Sequence, residues 1–165
     1  MKLLMTIAAA ILFSISANAA VVFNSDSAKS FDFYWENLPL GGVIETYETS
    51  VGADSFIDVY LDDCCVGGDE FSLRVNGAVI APTSSGLDAG DNNTWWGSFD
   101  NIFLTAGTNT FEVLLSADCC GEGRGNVQFS AATTAAIPEP ATWLMMILGF
   151  GLVGVATRRR QTLFA

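Results

Sequence analysis

Histidine is absent from the 165-residue chain, and bases are scarce, with seven Lys and Arg against 18 Asp and Glu. Without imidazole the chain cannot assemble a Ser-His-Asp or Cys-His nucleophile, and it lacks the commonest general base near neutral pH. It has no Cys-x-x-Cys pair and no nucleotide-binding glycine motif opening a helix, so dithiol redox chemistry and phosphate cradling lose their usual signatures. Carboxylate pairs could still hydrolyse glycosides, and Glu36, Glu45, Glu48 and Glu112 are available, but nothing in the sequence sets two of them across a cleft. We therefore expect a protein that is not an enzyme.

The few bases are unevenly spread. Between Ala20 and Ala136 only Lys29, Arg74 and Arg124 face 17 acidic residues, a net charge of −14 against −11 for the whole chain. Such a surface repels phosphate backbones and excludes nucleic acid as a partner, while favouring divalent cations and solubility. Upstream, Met1-Lys2, the apolar Leu3 to Ile15 and the small-x-small Ala17-Asn18-Ala19 before Ala20 read as a secretory signal peptide over 1–19, cut between Ala19 and Ala20. The region 20–136 is then an exported domain with room for one modest core.

Period-two alternation dominates that region. Large apolar residues fall on odd positions in Phe31 to Glu36 and alternate with polar ones in Glu70 to Val75 and Thr110 to Val113, the pattern of half-buried strands. Asn76-Gly77 separates two such runs and suits a tight hairpin turn. Further runs at Val21 to Phe23, Val43 to Thr49, Phe56 to Leu61, Trp95 to Phe103 and Val127 to Ala131 predict an all-β, antiparallel, jelly-roll-like β-sandwich of about eight or nine strands.

Two stretches echo each other: Phe56 to Cys65 and Phe111 to Cys120 both run from a strand into Asp-Cys-Cys and a Gly-rich turn. Export to an oxidising space makes Cys64, Cys65, Cys119 and Cys120 disulfide candidates. Of three pairings, the two adjacent ones close a strained eight-membered ring, and a pleated strand sends neighbouring side chains to opposite faces. Bridges between the two loops are therefore expected, with the choice of partner open, each worth roughly 2 to 4 kcal/mol. Zinc is disfavoured because contiguous cysteines lack the spacing of a zinc knuckle. Calcium is the better metal candidate, since Asp62, Asp63, Asp69 and Glu70 crowd one loop, although no EF-hand pattern is present. In Asn93-Thr94-Trp95-Trp96 adjacent aromatics on a strand would face opposite ways, so Trp95 or Trp96 is a candidate platform for a sugar ring, with Tyr34 and Tyr60 as companions.

The C-terminal segment 137–165 has a different character. Pro138-Glu139-Pro140 is followed by Trp143, an uncharged stretch from Ala141 to Thr157, and Arg158-Arg159-Arg160. Seventeen residues rising about 1.5 Å each give a transmembrane helix of about 25 Å, with Trp143 at one interface and the arginines on the cytoplasmic side. These residues, with the glycine-containing Met145 to Gly151, resemble the PEP-CTERM sorting signal, in the subtype with tryptophan three positions after the second proline; the alanine usual after that tryptophan is Leu144 here. The resemblance implies a substrate of an exosortase in a Gram-negative bacterium that makes extracellular polysaccharide. The expected partners are that enzyme, the secretion machinery, the membrane before processing, and polysaccharide.

Overall fold

A computed structural model describes residues 19–135, 144–150 and 152. The chain divides into two compact units, Met1–Thr133 and Thr134–Ala165. Eleven strands are present among the described residues: β1 (Val21–Val22), β2 (Lys29–Glu36), β3 (Val43–Val51), β4 (Ser55–Cys64), β5 (Glu70–Val75), β6 (Ala78–Ile80), β7 (Ser84–Asp88), β8 (Thr94–Leu104), β9 (Gly107–Ala117), β10 (Glu122–Phe129) and β11 (Thr133–Thr134). They form two sheets in the orders β1-β3-β9-β5-β6 and β2-β10-β4-β8-β7, with β11 beside β4. The first unit is an all-β sandwich.

Alternation explains which residues meet between the sheets. From β2 the inward side chains are Phe33 and Trp35, from β4 Ile57, Val59 and Leu61, and from β9 Phe111, Val113 and Leu115, all buried. Phe71 on β5 fills the space between sheets, edge-on to Phe33 at 5.1 Å and to Trp35 at 5.2 Å between ring centroids, the geometry favoured by aromatic quadrupoles. The glycines of β10 make room for these rings: a Cβ on Gly125 would lie 2.5 Å from Phe33 Cζ and 2.7 Å from the Asp62 carbonyl oxygen.

The expected hairpin is present, with Asn76 and Gly77 at φ 49° and 84° between β5 and β6. Two features depart from the sequence reading. β1 pairs with β3 in parallel, through Val21 with Tyr47 and Val22 with Glu48, so that edge departs from the antiparallel pairing of β2 to β10. β7, of sequence Ser-Ser-Gly-Leu-Asp, has no apolar alternation because it lies at a sheet edge with exposed side chains, where backbone pairing to β8 suffices. A bulge in β8 interrupts its register with β4 near Asp58. There Asn101, at φ 57°, donates its backbone N–H to Asp58 Oδ1 at 2.7 Å.

In the second unit, residues 144–150 are helical and expose large apolar side chains, among them Leu144, Ile147 and Phe150. No helix among the described residues is long and apolar enough to cross a membrane. The rest of the expected span, and the signal segment through residue 18, lie outside the described residues. Ala19 and Ala20 immediately precede β1.

Candidate functional site

Both Asp-Cys-Cys turns are crossovers between the sheets, at the same end of the sandwich. After β4 the chain crosses to β5, which pairs with β9; after β9 it crosses back to β10, which pairs with β4. The two arches therefore lie side by side. Asp69 Oδ1 in the first accepts the backbone N–H of Cys119 in the second at 2.7 Å, and a Cβ on Gly68, at φ 123°, would lie 2.9 Å from Cys119 Cβ. Asp118 Oδ1 closes the second turn by accepting the N–H groups of Cys120 and Gly121 at 3.1 and 2.9 Å.

The cysteines pair within each arch, Cys64 with Cys65 and Cys119 with Cys120. This corrects the expectation of bridges between the loops. The argument from pleating fails because only Cys64 belongs to a strand: Cys65 sits past the end of β4 at φ 81°, and Cys119 and Cys120 both lie between β9 and β10. Outside the pleat, adjacent side chains can share a side.

Pleating does separate the proposed calcium ligands. Asp62 points outward from β4, Asp63 points inward and is 4% exposed, Asp69 is buried beneath the second arch, and Glu70 is exposed at the start of β5. Among the described residues no group of three or more His, Cys, Asp or Glu is arranged to hold a metal ion. Neither oxygen of Asp63 has a hydrogen-bond partner. Burial, reinforced by the neighbouring Asp69 charge, pushes its pKa up to about 7. Burial also raises Asp69, with Asp118 adding to the effect against the opposing hydrogen bond from Cys119.

The outer face of the β2-β10-β4-β8-β7 sheet gathers a different set. Register places Asp32, Asn126, Asp62, Trp96 and Gly86 in one row across five strands, and Ser30, Gln128, Tyr60, Ser98 and Ser84 in the next. Tyr34, Arg124 and Cys64 form a third. The Tyr60 and Trp96 rings stack at 6.2 Å with 18° between their planes, and the Trp96 indole lies over Gly86, whose Cβ would be 3.1 Å from it. Asn126 Nδ2 donates to Asp32 Oδ1 at 3.0 Å and to Ser30 Oγ at 2.9 Å, which fixes these polar groups in place. Tyr34 donates its hydroxyl to Glu122 at 3.2 Å and carries the Arg124 guanidinium over its ring at 6.0 Å.

Three depressions, of about 380, 450 and 570 Å³, run along this face. The first two share Gln128, and the second and third share Cys64 and Arg124, so they form one trough. The outward residues of the opposite sheet include Thr46, Glu48, Ser72 and the ion pair of Arg74 with Glu112 at 2.9 Å, and a further depression of about 380 Å³ lies between Val75 to Ala81 and the Phe99 to Phe103 stretch of β8.

Of the two candidate sugar platforms, Trp95 is corrected. It is 8% exposed, in the core, edge-on to Phe71 at 5.8 Å, because alternation along β8 turns it inward and Trp96 outward. The four glutamates are divided, with Glu36 on one sheet and Glu45, Glu48 and Glu112 on the other. Sequence reasoning missed Asp32, Arg124, Asn126 and Gln128. Their signal was the polar half of the alternation in β2 and β10, visible only once those strands are known to be neighbours.

The tail is recognised by sequence. Residues 136–160 match the family model of the PEP-CTERM protein-sorting motif. The chain carries a PEP-CTERM protein-sorting motif. The motif implies an exported protein, sorted by an exosortase to the cell envelope or surface of a Gram-negative bacterium. Its residues Pro138, Glu139, Pro140, Trp143 and Arg158 to Arg160 lie outside the described residues. No curated protein matches the chain. Among solved structures, the pre-peptidase C-terminal domain of a collagenase from Bacillus anthracis is similar at a TM-score of 0.38 and 13% identity, covering 68% of this chain and 95% of that one.

Proposed function

We propose that the PEP-CTERM protein is a non-catalytic structural or display component of the cell envelope or extracellular matrix, associated with exopolysaccharide and released or re-attached by an exosortase near Pro138-Glu139-Pro140. The matched tail carries this reading, and an acidic sandwich with paired cysteines suits delivery outside the cytoplasm. Intact-mass measurement of the protein recovered from the cell surface tests it. The expected species begins at Ala20 and lacks Arg158 to Arg160; a surface form retaining both termini would sink the proposal.

A second reading, a lectin-like carbohydrate-binding module, is favoured by one observation: Tyr34, Tyr60 and Trp96 all look outward from the same sheet, Tyr34 and Tyr60 lining a trough with amides and carboxylates and Trp96 stacked beside Tyr60. Aromatic faces with oriented polar groups are the chemistry a sugar ring requires. The strand orders β2-β10-β4-β8 and β3-β9-β5-β6 are consistent with a jelly-roll-like sandwich, a fold that supports but does not itself confer such binding. A glycan array with and without chelator tests this reading. Binding that survives chelation assigns recognition to the sheet face alone, and binding lost on chelation makes it dependent on a divalent cation.

A further inference from the structure

The inference that follows rests on the carbohydrate-binding reading, and the charges of the trough narrow the ligand. Asp62 stands at its centre, opposite Asn126 and Trp96, with Asp32 one strand beyond Asn126 and Asp91 lining the same depression. Two cations line the trough, Arg124, which shares the Asp62 depression and lies against the Tyr34 ring, and Lys29 in the first depression, so Asp32, Asp62 and Asp91 outnumber the one arginine beside them. Asp62 is partly exposed and lines the depression, and because its Oδ1 is closed to solvent a ligand meets its other carboxylate oxygen. A uronate polymer brings further negative charge to this centre and is repelled. A neutral glycan supplies hydroxyl donors and leaves the charge uncompensated. An ammonium group supplies three donors and the missing positive charge together.

We propose that this face binds a polysaccharide of amino sugars whose amino groups are free, with a sugar ring against the Tyr60–Trp96 pair and its ammonium group at Asp62 between Asp32 and Asp91. Asp62 is the cross-strand neighbour of Trp96 and lies two residues from Tyr60 on the same strand, so the aromatic pair and this carboxylate reach one sugar unit. Asp62 then supplies selectivity for the amine, and Tyr60 supplies affinity for the ring.

Calorimetric titration of the full chain in detergent micelles tests this with four hexasaccharides (glucosamine, N-acetylglucosamine, glucose and a uronate) and a lysine hexapeptide. The glucosamine hexamer is expected to bind at least about tenfold tighter than its acetylated form, with the uronate weakest. Asp62→Asn, an isosteric change that relieves local repulsion, should keep the thermal midpoint and abolish the preference for the free amine. Tyr60→Ala should weaken glucosamine and acetylglucosamine binding alike, by about tenfold. Binding of neutral sugars through Tyr60 without preference for the amine would overturn the inference and leave the carbohydrate reading standing. Binding to none of the sugars would overturn both. A lysine hexapeptide that binds as tightly as the glucosamine hexamer would also overturn the inference, since charge alone would then suffice.

Discussion

At the residue scale, Asp63 and Gly125 show how a few atoms constrain the sandwich. Asp63 occupies an inward position of β4 that hydrophobic alternation assigns to an apolar side chain, and its pKa is raised to about 7 from an ordinary value of 3.8. Because the folded state holds this proton more tightly than the unfolded one, the sign is fixed: stability falls as pH rises from about 4 to about 7 and levels off above. A shift of this size corresponds to at most about 4 kcal/mol. Asp63→Asn should raise the thermal midpoint at pH 8 by several degrees, leave it nearly unchanged at pH 4, and flatten the profile between; an unaltered pH profile would remove Asp63 from the explanation. Gly125 acts through space. The Phe33 ring and the Asp62 carbonyl occupy the place of its missing side chain, so Gly125→Ala should cost about 2 kcal/mol or more in denaturant unfolding. Neither effect was legible in the sequence, where Asp63 reads as one more acid of a loop and Gly125 as one more turn residue.

At the scale of the element, the Asp-Cys-Cys arches decide what the cysteines can do. Each disulfide joins neighbours, so it closes almost no chain and constrains the unfolded state far less than a long-loop bridge worth roughly 2 to 4 kcal/mol. Reduction should therefore lower the thermal midpoint only slightly. Tryptic cleavage after Lys29, Arg74 and Arg124 puts the two Cys-Cys pairs on different peptides. Without reductant these peptides should run separately, each lacking two hydrogens, whereas a joined mass would restore bridges between the loops. The strands themselves were largely legible, since β2, β3, β4, β5, β8 and β9 announce themselves by alternation and Asn76-Gly77 by its tolerance of positive φ. The arches were half legible. Their repeated sequence suggested a shared end of the sandwich, and the positive φ at Cys65 that brings neighbouring side chains together carries no sequence signal.

At the scale of the whole molecule, a tail that addresses the chain is joined to a sandwich with two unlike outer faces. Substituting Pro138 and Glu139 should leave the sandwich folded and block removal of Arg158 to Arg160, read as an intact tail by mass spectrometry of membrane fractions. Processing that continues at the same rate would separate the matched motif from sorting. What the sequence determined alone is what local chemistry can specify: strand periodicity, an acidic exported domain, and a sorting motif whose residues are contiguous and read in order. Tertiary structure decided which strands became neighbours. Asp32, Asp62, Trp96 and Asn126 come from four strands spread along the chain and meet only because sheet register aligns them. The candidate face depends on these long-range pairings, which are set by burying the opposite sides of the same strands, and no local pattern encodes that choice.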